Sequence, residues 1–276
     1  MQALVVSVGR ADVEVAADEL WALGVVAIEE RETASGETVE LWTSLGDDKD
    51  SVSAAIESLR WTWRFEEIDE AVSDTWRMHA EPTWIADDVV VYPSWLPIAE
   101  FGDALAIGIE PGATFGMGDH PTTVLSMRAL RNVVQSGSSV LDVGCGSGVL
   151  AIAGCLFGAA HADAIDISPA SVPTTIHNAL WNGVADRVTV STTPLAEIDE
   201  VYDIVVANIL APTLVDLADD LRRCLAPTGV LIISGILAER HQHVLDALGP
   251  LAPIARADLD GWTAITLARV PHSLSG

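Results

Sequence analysis

Three alternating glycines between two apolar runs constrain the fold of this chain more than any other feature of its sequence. Residues 140–153 read VLDVGCGSGVLAIA, where the first run predicts a strand over Val140–Val143 and the second predicts a helix over Leu150–Phe157. A glycine-rich turn from strand to helix lets the backbone approach a ligand, and the helix N-terminus offers that ligand unpaired N–H groups. The segment therefore predicts a ligand-binding α/β domain.

Strand and helix patterns alternate from residue 139 onward. Further strands are predicted over Ala162–Ile167, Val188–Ser191, Ile204–Asn208, Val230–Ser234 and Thr263–Ala268. The accompanying helices are predicted over Pro169–Trp181, Pro212–Leu225 and Ile236–Leu248. This alternation is typical of a mostly parallel sheet wrapped by helices, whose ligands bind beyond the carboxyl ends of the strands.

The first 67 residues follow a different order. They predict strand, helix, strand, strand, helix and strand over Leu4–Val8, Val13–Leu23, Val25–Glu29, Val39–Thr43, Asp50–Leu59 and Trp61–Glu66. This order is typical of a small ferredoxin-like α+β unit. Because we find no catalytic spacing within it, a binding or positioning role and a purely structural role both stay open.

The length of 276 residues is enough for two domains. We assign an N-terminal domain, a linker helix with a connecting segment, and the α/β domain to residues 1–67, 68–98 and 99–276. The connecting segment carries Trp76, Trp84 and Trp95 and a predicted strand over Val89–Tyr92. Tryptophans at this density indicate packing within or between domains more than a recognition surface.

The glycine spacing and two acidic residues indicate which ligand the turn would bind. The spacing is GxGxG, with Val149 where a dinucleotide-binding turn has its third glycine. Asp142 would repel a pyrophosphate but suits a cationic ligand, such as the amino-acid end of S-adenosylmethionine. Asp166 ends the next strand and could accept hydrogen bonds from both hydroxyls of a ribose. Together these residues predict S-adenosylmethionine as the ligand.

Two further segments are candidates for the same site. Asn208 ends a third apolar strand, where its side-chain oxygen, or the carbonyls of Ile209 and Leu210, could accept hydrogen bonds from an incoming amine. Residues 114–123, TFGMGDHPTT, place permissive backbone directly before a predicted helix and could hold a ligand. A helix-capping role for Asn208 and an ordinary capped turn at residues 114–123 are the structural alternatives.

Charge and cysteine content limit the partners. The net charge of −26 opposes binding to nucleic acid and favours a basic protein partner, although solubility alone explains it equally well. Three cysteines without metal-binding spacing predict a reducing compartment and no metal site. We recognise no signal peptide and no uncharged apolar run of about 20 residues, so we expect a soluble cytoplasmic protein without membrane contact.

With these residues in place, the chain resembles the ribosomal protein L11 methyltransferase (PrmA) family of class I S-adenosylmethionine-dependent methyltransferases. The matching segments are WTW, DTWRMH, VVVYPSW, EPGATFGMGDHPTT, VLDVGCGSGVLAIA, IDISP, HNALWNGV, VVANILAP and LIISGIL, in this order from about Trp61 to Leu267. The resemblance implies a Rossmann-like domain with a mostly parallel seven-stranded sheet, and a ferredoxin-like N-terminal domain that grips the substrate. It also implies S-adenosyl-L-methionine as methyl donor and a basic ribosomal protein as substrate. We expect a monomer without direct contact to nucleic acid.

The resemblance assigns roles to single positions. The donor-binding residues it implies are Thr123, Gly144, Gly146, Asp166, Asn208, Phe115 and Gly116, with His120 on the same wall. Three residues depart from the family's usual pattern, namely Met117, Asp119 and Pro173. A proline past the first turn of a helix would remove a hydrogen-bond donor, and Asp119 adds a negative charge near a cationic donor. The departures leave the donor motif intact but leave the identity of the substrate open.

The implied chemistry is in-line transfer of a methyl group from an activated donor, so positioning can supply most of the catalysis. The acceptor amine must be neutral, and we expect Asn208 and Thr123 to be the catalytic residues. Asn208 would orient the amine with the carbonyl of Ile209, and Thr123 would secure the loop and the donor. Alternatives are an N-methyltransferase of another protein or small molecule, a nucleic-acid base methyltransferase, and a non-enzymatic module that binds the donor. Base methyltransferases usually carry Asn-Pro-Pro-aromatic where this chain has Asn-Ile-Leu-Ala.

Overall fold

The structure, a computed structural model, describes residues 2–22, 27–33, 36, 38–44, 56, 59–67, 81–97, 101–110 and 118–269. The chain divides into two compact units, Met1–Ala80 with Ala113–Phe115 and Glu81–Gly112 with Gly116–Gly276. This border near residue 80 differs from the borders at residues 67 and 98 suggested by the sequence, because the strands within residues 83–93 pair inside the larger unit. The linker helix expected near Trp76 lies outside the described residues.

The smaller unit contains a four-stranded antiparallel sheet. Its elements are β1 (Gln2–Gly9), α1 (Val13–Ala22), β2 (Ala27–Glu32), β3 (Thr38–Ser44) and β4 (Thr62–Glu67), and the strand order is β2-β3-β1-β4. Alternate residues Leu4, Val6 and Val8 of β1 share a buried cluster with Ala16 and Leu20 of α1, one turn apart. The expected helix over residues 50–59 falls almost entirely outside the described residues, so the ferredoxin-like assignment stays a prediction.

The larger unit contains two sheets. The first has the order β5-β6-β7 and consists of β5 (Thr83–Ala86), β6 (Val89–Pro93) and β7 (Leu105–Ile109). The second consists of β8 (Ser139–Val143), β9 (His161–Ile165), β10 (Val188–Ser191), β11 (Tyr202–Asn208), β12 (Leu225–Leu237), β13 (Leu251–Leu259) and β14 (Trp262–Arg269). Its order is β10-β9-β8-β11-β12-β14-β13, and only the pairs made by β14 are antiparallel. The expected mostly parallel seven-stranded sheet is confirmed.

The described helices of the larger unit are α2 (Pro121–Val133), α3 (Val149–Phe157), α4 (Ser171–Trp181), α5 (Ala211–Asp216), α6 (Ala218–Arg223) and α7 (Gln242–Ala247). The helix expected over residues 212–225 is therefore two short helices, separated at Leu217. Within the described part of the chain, no helix has the length and apolar character needed to cross a bilayer.

Two sequence expectations are corrected at the antiparallel end of the large sheet. The helix expected to begin at Ile236 begins at Gln242, because Ile236 and Leu237 pair with β14 and extend β12. Strand β13 was not expected at all. It pairs only with β14, and most of its residues are exposed, so its sequence lacks the apolar run that marks the central strands.

The central strands of the large sheet are buried on both faces. In β11, Ile204 and Val206 pack into one hydrophobic cluster, while Val205 and Ala207 pack into another. Strands β8, β9 and β11 are parallel, so their carboxyl ends reach the same edge. Because both faces are covered, a ligand meets these strands at their ends, and parallel sheets bind their ligands at the carboxyl edge.

Candidate functional site

The glycine loop, residues 144–148, connects β8 to α3 in a conformation that requires glycine. Gly144, Gly146 and Gly148 have φ angles of 75°, 52° and 79°, in the left-handed region that other residues rarely adopt. A Cβ atom on Gly144 would lie 2.4 Å from Cγ2 of Ile209, and one on Gly148 would lie 2.5 Å from Cγ2 of Thr175. The loop therefore presents bare backbone at the carboxyl edge of the sheet.

Asp166 follows β9 and lies beside the glycine loop. Its Oδ2 accepts a hydrogen bond from Gly146 N at 2.8 Å, and its Oδ1 accepts one from Ser168 N at 2.8 Å. Each carboxylate oxygen can accept a further hydrogen bond, so the group keeps capacity for two hydroxyls. The next residue, Ile167, is 95% exposed. The site thus holds a fixed carboxylate with an apolar surface next to it.

Asp142, near the end of β8, is buried and does not reach the surface of the site. It is 1% exposed, and its Oδ2 accepts a hydrogen bond from Ala151 N in the first turn of α3 at 3.0 Å. Its Oδ1 has no hydrogen-bond partner among the described residues. Burial raises the pKa of Asp142 to about 7; the Ala151 N–H opposes this shift and the charge of Asp166 adds to it. The carboxyl can therefore influence a cationic ligand through its charge but not by contact.

Asn208 and Thr123, which are 85 residues apart in the sequence, meet at the carboxyl end of β11. Asn208 Nδ2 donates a hydrogen bond to Thr123 Oγ1 at 3.3 Å. Thr123 is buried in the first turn of α2, and Asn208 is half-buried. The Asn208 Oδ1 makes no hydrogen bond to a described residue, so it can accept one from a ligand. The structure therefore brings the two predicted catalytic residues together.

His120, and not a threonine, caps the N-terminus of α2. Its Nδ1 accepts a hydrogen bond from Thr122 N at 3.3 Å and lies 2.8 Å from Thr122 Oγ1. Its ring packs edge-on against Trp262, with centroids 5.2 Å apart. Burial lowers the pKa of His120, although the neighbouring Asp119 opposes this shift. The end of the TFGMGDHPTT segment is thus fixed by a histidine that favours its neutral form.

The chain after Asn208 passes between two glycines, of which only Gly144 was predicted as a site residue. Gly235 has a φ of 82°, and a Cβ atom there would lie 2.4 Å from the backbone oxygen of Ile209. The adjacent Ser234 donates its Oγ proton to Thr122 O at 3.2 Å. A glycine inside the apolar strand run LIISGIL was the available signal, since glycine in a strand often marks close approach of another backbone.

Two asparagines that were not predicted, Asn178 in α4 and Asn182 directly after that helix, bond backbone groups of the larger unit. Asn178 is fully buried, and its amide bonds the backbone of Glu110 and the oxygen of Ser147 in the glycine loop. Asn182 bonds both backbone groups of Gly108. The sequence signal was a pair of amides four residues apart, which places them on one face of a helix.

The remaining predicted residues are placed as follows. Phe115, Gly116 and Met117 lie outside the described residues. Pro173 is the third residue of α4, because that helix begins at Ser171 and not at residue 169 as expected. N–H groups in a first turn have no partner within the helix, so the proline removes nothing there. Among the described residues, no group of three or more His, Cys, Asp or Glu side chains could hold a metal ion.

The family model described as ribosomal protein L11 methyltransferase (PrmA) matches residues 4–270 of the chain. A ribosomal protein L11 methyltransferase of Citrifermentans bemidjiense is 40% identical over 207 residues, which cover 73% of this chain and 68% of that protein. The protein of the same name from Chromohalobacter salexigens is 40% identical over 252 residues, which cover 83% of each chain.

A solved structure gives the same result. The crystal structure of a ribosomal protein L11 methylase from Lactobacillus delbrueckii subsp. bulgaricus has a TM-score of 0.63 and 32% sequence identity to this chain. The match covers 68% of this chain and 98% of the other. The similarity in sequence and the similarity in fold therefore lead to the same family description.

Proposed function

The chain belongs to the ribosomal protein L11 methyltransferase family, and on that premise we propose that it transfers methyl groups from S-adenosylmethionine to amino groups of ribosomal protein L11. These are lysine side chains, the N-terminal amine, or both. The proposal is carried by one observation, the meeting of the glycine loop, Asp166 and the Asn208–Thr123 pair at one edge of the sheet. S-adenosylmethionine-dependent methyl transfer is the activity of the family.

The donor side of the site comprises the glycine loop, Asp166 and Ile167. We assign the ribose hydroxyls to the Asp166 oxygens and one face of the adenine to the exposed Ile167 side chain. The glycine loop, free of Cβ atoms, suits close approach of the amino-acid end of the donor. The bound donor supplies a methyl group activated by a positively charged sulfur. The residues present fit this ligand in their hydrogen-bonding capacity and in the close backbone approach that the glycines allow.

The acceptor side comprises Thr123, Asn208 and Ile209. A lysine amine has an unperturbed pKa of about 10.4 and an α-amine of about 8, so the amine must lose a proton before its lone pair can attack. Asn208 Oδ1 accepts an N–H bond from the neutral amine and directs its lone pair, while Thr123 holds the amide by its other end. Positioning of this kind supplies much of the rate when the methyl group is already activated.

Charge supports a basic substrate. The chain carries a net charge of −26, and opposite charge on a partner accelerates encounter. We assign binding of the ribosomal protein to the N-terminal domain, residues 1–67. The same charge opposes contact with nucleic acid. A cytoplasmic monomer without membrane contact completes the proposal.

Labelled S-adenosylmethionine offered with purified L11 tests the proposal directly. The same reaction includes a second basic ribosomal protein, free lysine and single-stranded RNA as competing acceptors. Label should enter L11 alone, and mass spectrometry of its peptides then identifies the modified amines. Label in free lysine or another protein, with none in L11, would indicate a different N-methyltransferase. Donor binding without transfer to any acceptor would indicate a binding module.

A further inference from the structure

Asn178 lies in the middle of α4 and is fully buried, yet its side chain reaches two separate parts of the site. Its Nδ2 donates to Ser147 O at 2.9 Å and to Glu110 O at 2.9 Å, and its Oδ1 accepts from Glu110 N at 2.9 Å. A buried amide satisfied in this way is geometrically fixed, since any rotation leaves polar groups unpaired. Asn178 therefore holds Glu110 and the glycine loop at a set distance.

The glycine loop needs such support from outside. Ser147 stands between two glycines with positive φ, and glycine backbone has little conformational preference of its own. One turn before Asn178, Thr175 Oγ1 donates to Gly146 O at 3.3 Å. Helix α4 thus holds two successive carbonyls of the loop. Because the C=O and N–H of a trans peptide point in opposite directions, fixing the Gly146 carbonyl turns the Ser147 N–H away from α4.

The Asn178 amide also holds Glu110, the residue after β7, through both its Nδ2 and its Oδ1. Glu110 follows that strand and directly precedes residues 111–117, which include the predicted donor-binding residues Phe115 and Gly116. Asn182 makes a matching pair of bonds to Gly108, at 3.0 Å from its N and 2.7 Å from its O. Asn182 makes no bond to the glycine loop. Of these two asparagines, Asn178 is therefore the one that links the glycine loop to Glu110.

We propose that Asn178 is a positioning residue for donor binding, which sets the glycine loop and Glu110, directly after β7, in one arrangement. The inference rests on the proposed function, because it takes the glycine loop as the site of the donor. Among side chains, only a carboxamide offers an acceptor for an N–H together with two protons for two carbonyls. Ionised aspartate has the same shape but only acceptors, and it would face two carbonyl oxygens.

The test compares Asn178→Asp with the matched control Asn182→Asp, at the residue that follows the last residue of α4. Calorimetry measures the Kd of S-adenosylhomocysteine for each variant. The ratio of that Kd to the wild-type Kd at the same pH is compared between the variants, and the unfolding temperature of each variant is measured separately. At pH about 7.5, Asn178→Asp should weaken binding by about tenfold or more, and Asn182→Asp by no more than about twofold, with both losing thermal stability. The ratio reports on the loop, whereas the unfolding temperature reports on the fold.

A pH series adds a second test, because the Kd ratio for Asn178→Asp would not depend on pH if the role of Asn178 were purely structural. Burial among carbonyls favours a protonated aspartic acid, which regains a donor as pH falls, so the ratio for Asn178→Asp should approach that of Asn182→Asp. The titratable groups nearby are Glu110, His177, Cys145 and Asp142. His177 Nε2 lies 3.5 Å from Glu110 Oε2. All are shared with the wild-type protein, so division by its Kd cancels their titration.

Equal ratios for the two variants, or a ratio near one for Asn178→Asp, would overturn the inference. If Asn178→Asp does not fold, Thr175→Val removes the companion bond to Gly146 O with little change in shape. That variant should weaken donor binding by about three- to fivefold, and an unchanged Kd would overturn the inference equally. A wild-type protein that binds no S-adenosylhomocysteine would contradict the proposed function itself, which separates the two failures.

Discussion

The donor side and the acceptor side of the site are built in different ways. On the donor side, the glycine loop presents backbone, and the side chains beneath it are hidden: Asp142, Thr175 and Asn178 are all 1% exposed or less. The carboxylate of Asp166 lies beside that loop. On the acceptor side, the side chain that we propose to meet the amine is the half-buried Asn208, which donates a hydrogen bond to Thr123. In our proposal the donor thus meets a backbone loop and one fixed carboxylate, whereas the acceptor meets a single amide.

This difference follows from what each ligand offers. The donor is the same molecule in every reaction cycle, so a fixed backbone surface suits it and needs no adjustment. The acceptor amine must be caught in its neutral form and aimed along one line, which requires a group that accepts an N–H bond. Changes on the donor side should therefore alter donor affinity, and changes on the acceptor side should alter turnover at saturating donor.

Replacement of Asn208 by alanine is the strongest way to separate the two sides. It removes the acceptor for the amine, and loss of one preorganised polar group typically lowers kcat by about 10²- to 10³-fold. The Kd of S-adenosylhomocysteine should change by less than about threefold, because the glycine loop and Asp166 are untouched. Asn132→Ala, on the exposed face of α2, is the matched control and should leave both values unchanged. If Asn208→Ala lost as much donor affinity as it lost in kcat, the donor side and the acceptor side would not be functionally separate.

Asp166→Ala is the converse change on the donor side. It removes the acceptor for two ribose hydroxyls, and two bonds to a charged group at about 1.5 kcal/mol each correspond to a roughly 10²-fold weaker donor Kd. Rates at saturating donor should fall much less. Calorimetry and single-turnover kinetics provide the two numbers, and the exposed Asp186→Ala serves as control. If Asp166→Ala bound the donor as tightly as the wild-type protein does, the carboxylate would not be a donor-binding group.

Thr123→Val asks whether the acceptor side depends on the bond between its two residues. The substitution keeps the shape but removes the oxygen that accepts from Asn208 Nδ2. With the amide free to rotate, kcat should fall by about tenfold, the equivalent of one hydrogen bond. Thr123→Ser keeps the oxygen and should stay close to wild type in the same assay. Equal rates for both variants would show that the threonine acts in some other way.

The sequence locates the residues at the ends of the central strands, for a physical reason. Central strands covered on both faces appear as apolar runs, and the glycine turn and Asp166 stand at the ends of such runs. A local pattern therefore locates them. The mostly parallel character of the large sheet followed from the same alternation.

Contacts between distant residues left no such pattern. Asn178 and Glu110 are 68 residues apart, and Ser234 and Thr122 are 112 apart. Hydrophobic periodicity describes which face of an element is buried, but it carries no information about which backbone group a buried amide meets. The roles of Asn178 and Gly235 therefore became apparent only in the folded chain. Asn208, like Asp166, was predicted from its place at the end of an apolar run, whereas the role of Thr123 came from the family resemblance.

The smallest expected effect concerns Asp142 and the pH dependence of donor affinity. Burial raises the pKa of Asp142 to about 7, so the folded protein without donor holds a proton there at lower pH. A cationic donor favours the ionised carboxylate, and binding must then expel the proton below pH about 7. Donor affinity in the wild-type protein should therefore rise as pH increases through about 7 and level off above it.

Asp142→Asn keeps an acceptor for Ala151 N but cannot titrate. Between pH about 6 and 8, its donor Kd divided by the wild-type Kd should grow by about three- to fivefold, since the buried charge acts on the donor without contact. Asn208→Ala, changed on the acceptor side, should keep a constant ratio over the same range. Calorimetry at several pH values measures both ratios, and titration of the donor's own amine cancels in them. A constant ratio for Asp142→Asn would mean that the carboxyl beneath the glycine loop contributes nothing to donor binding.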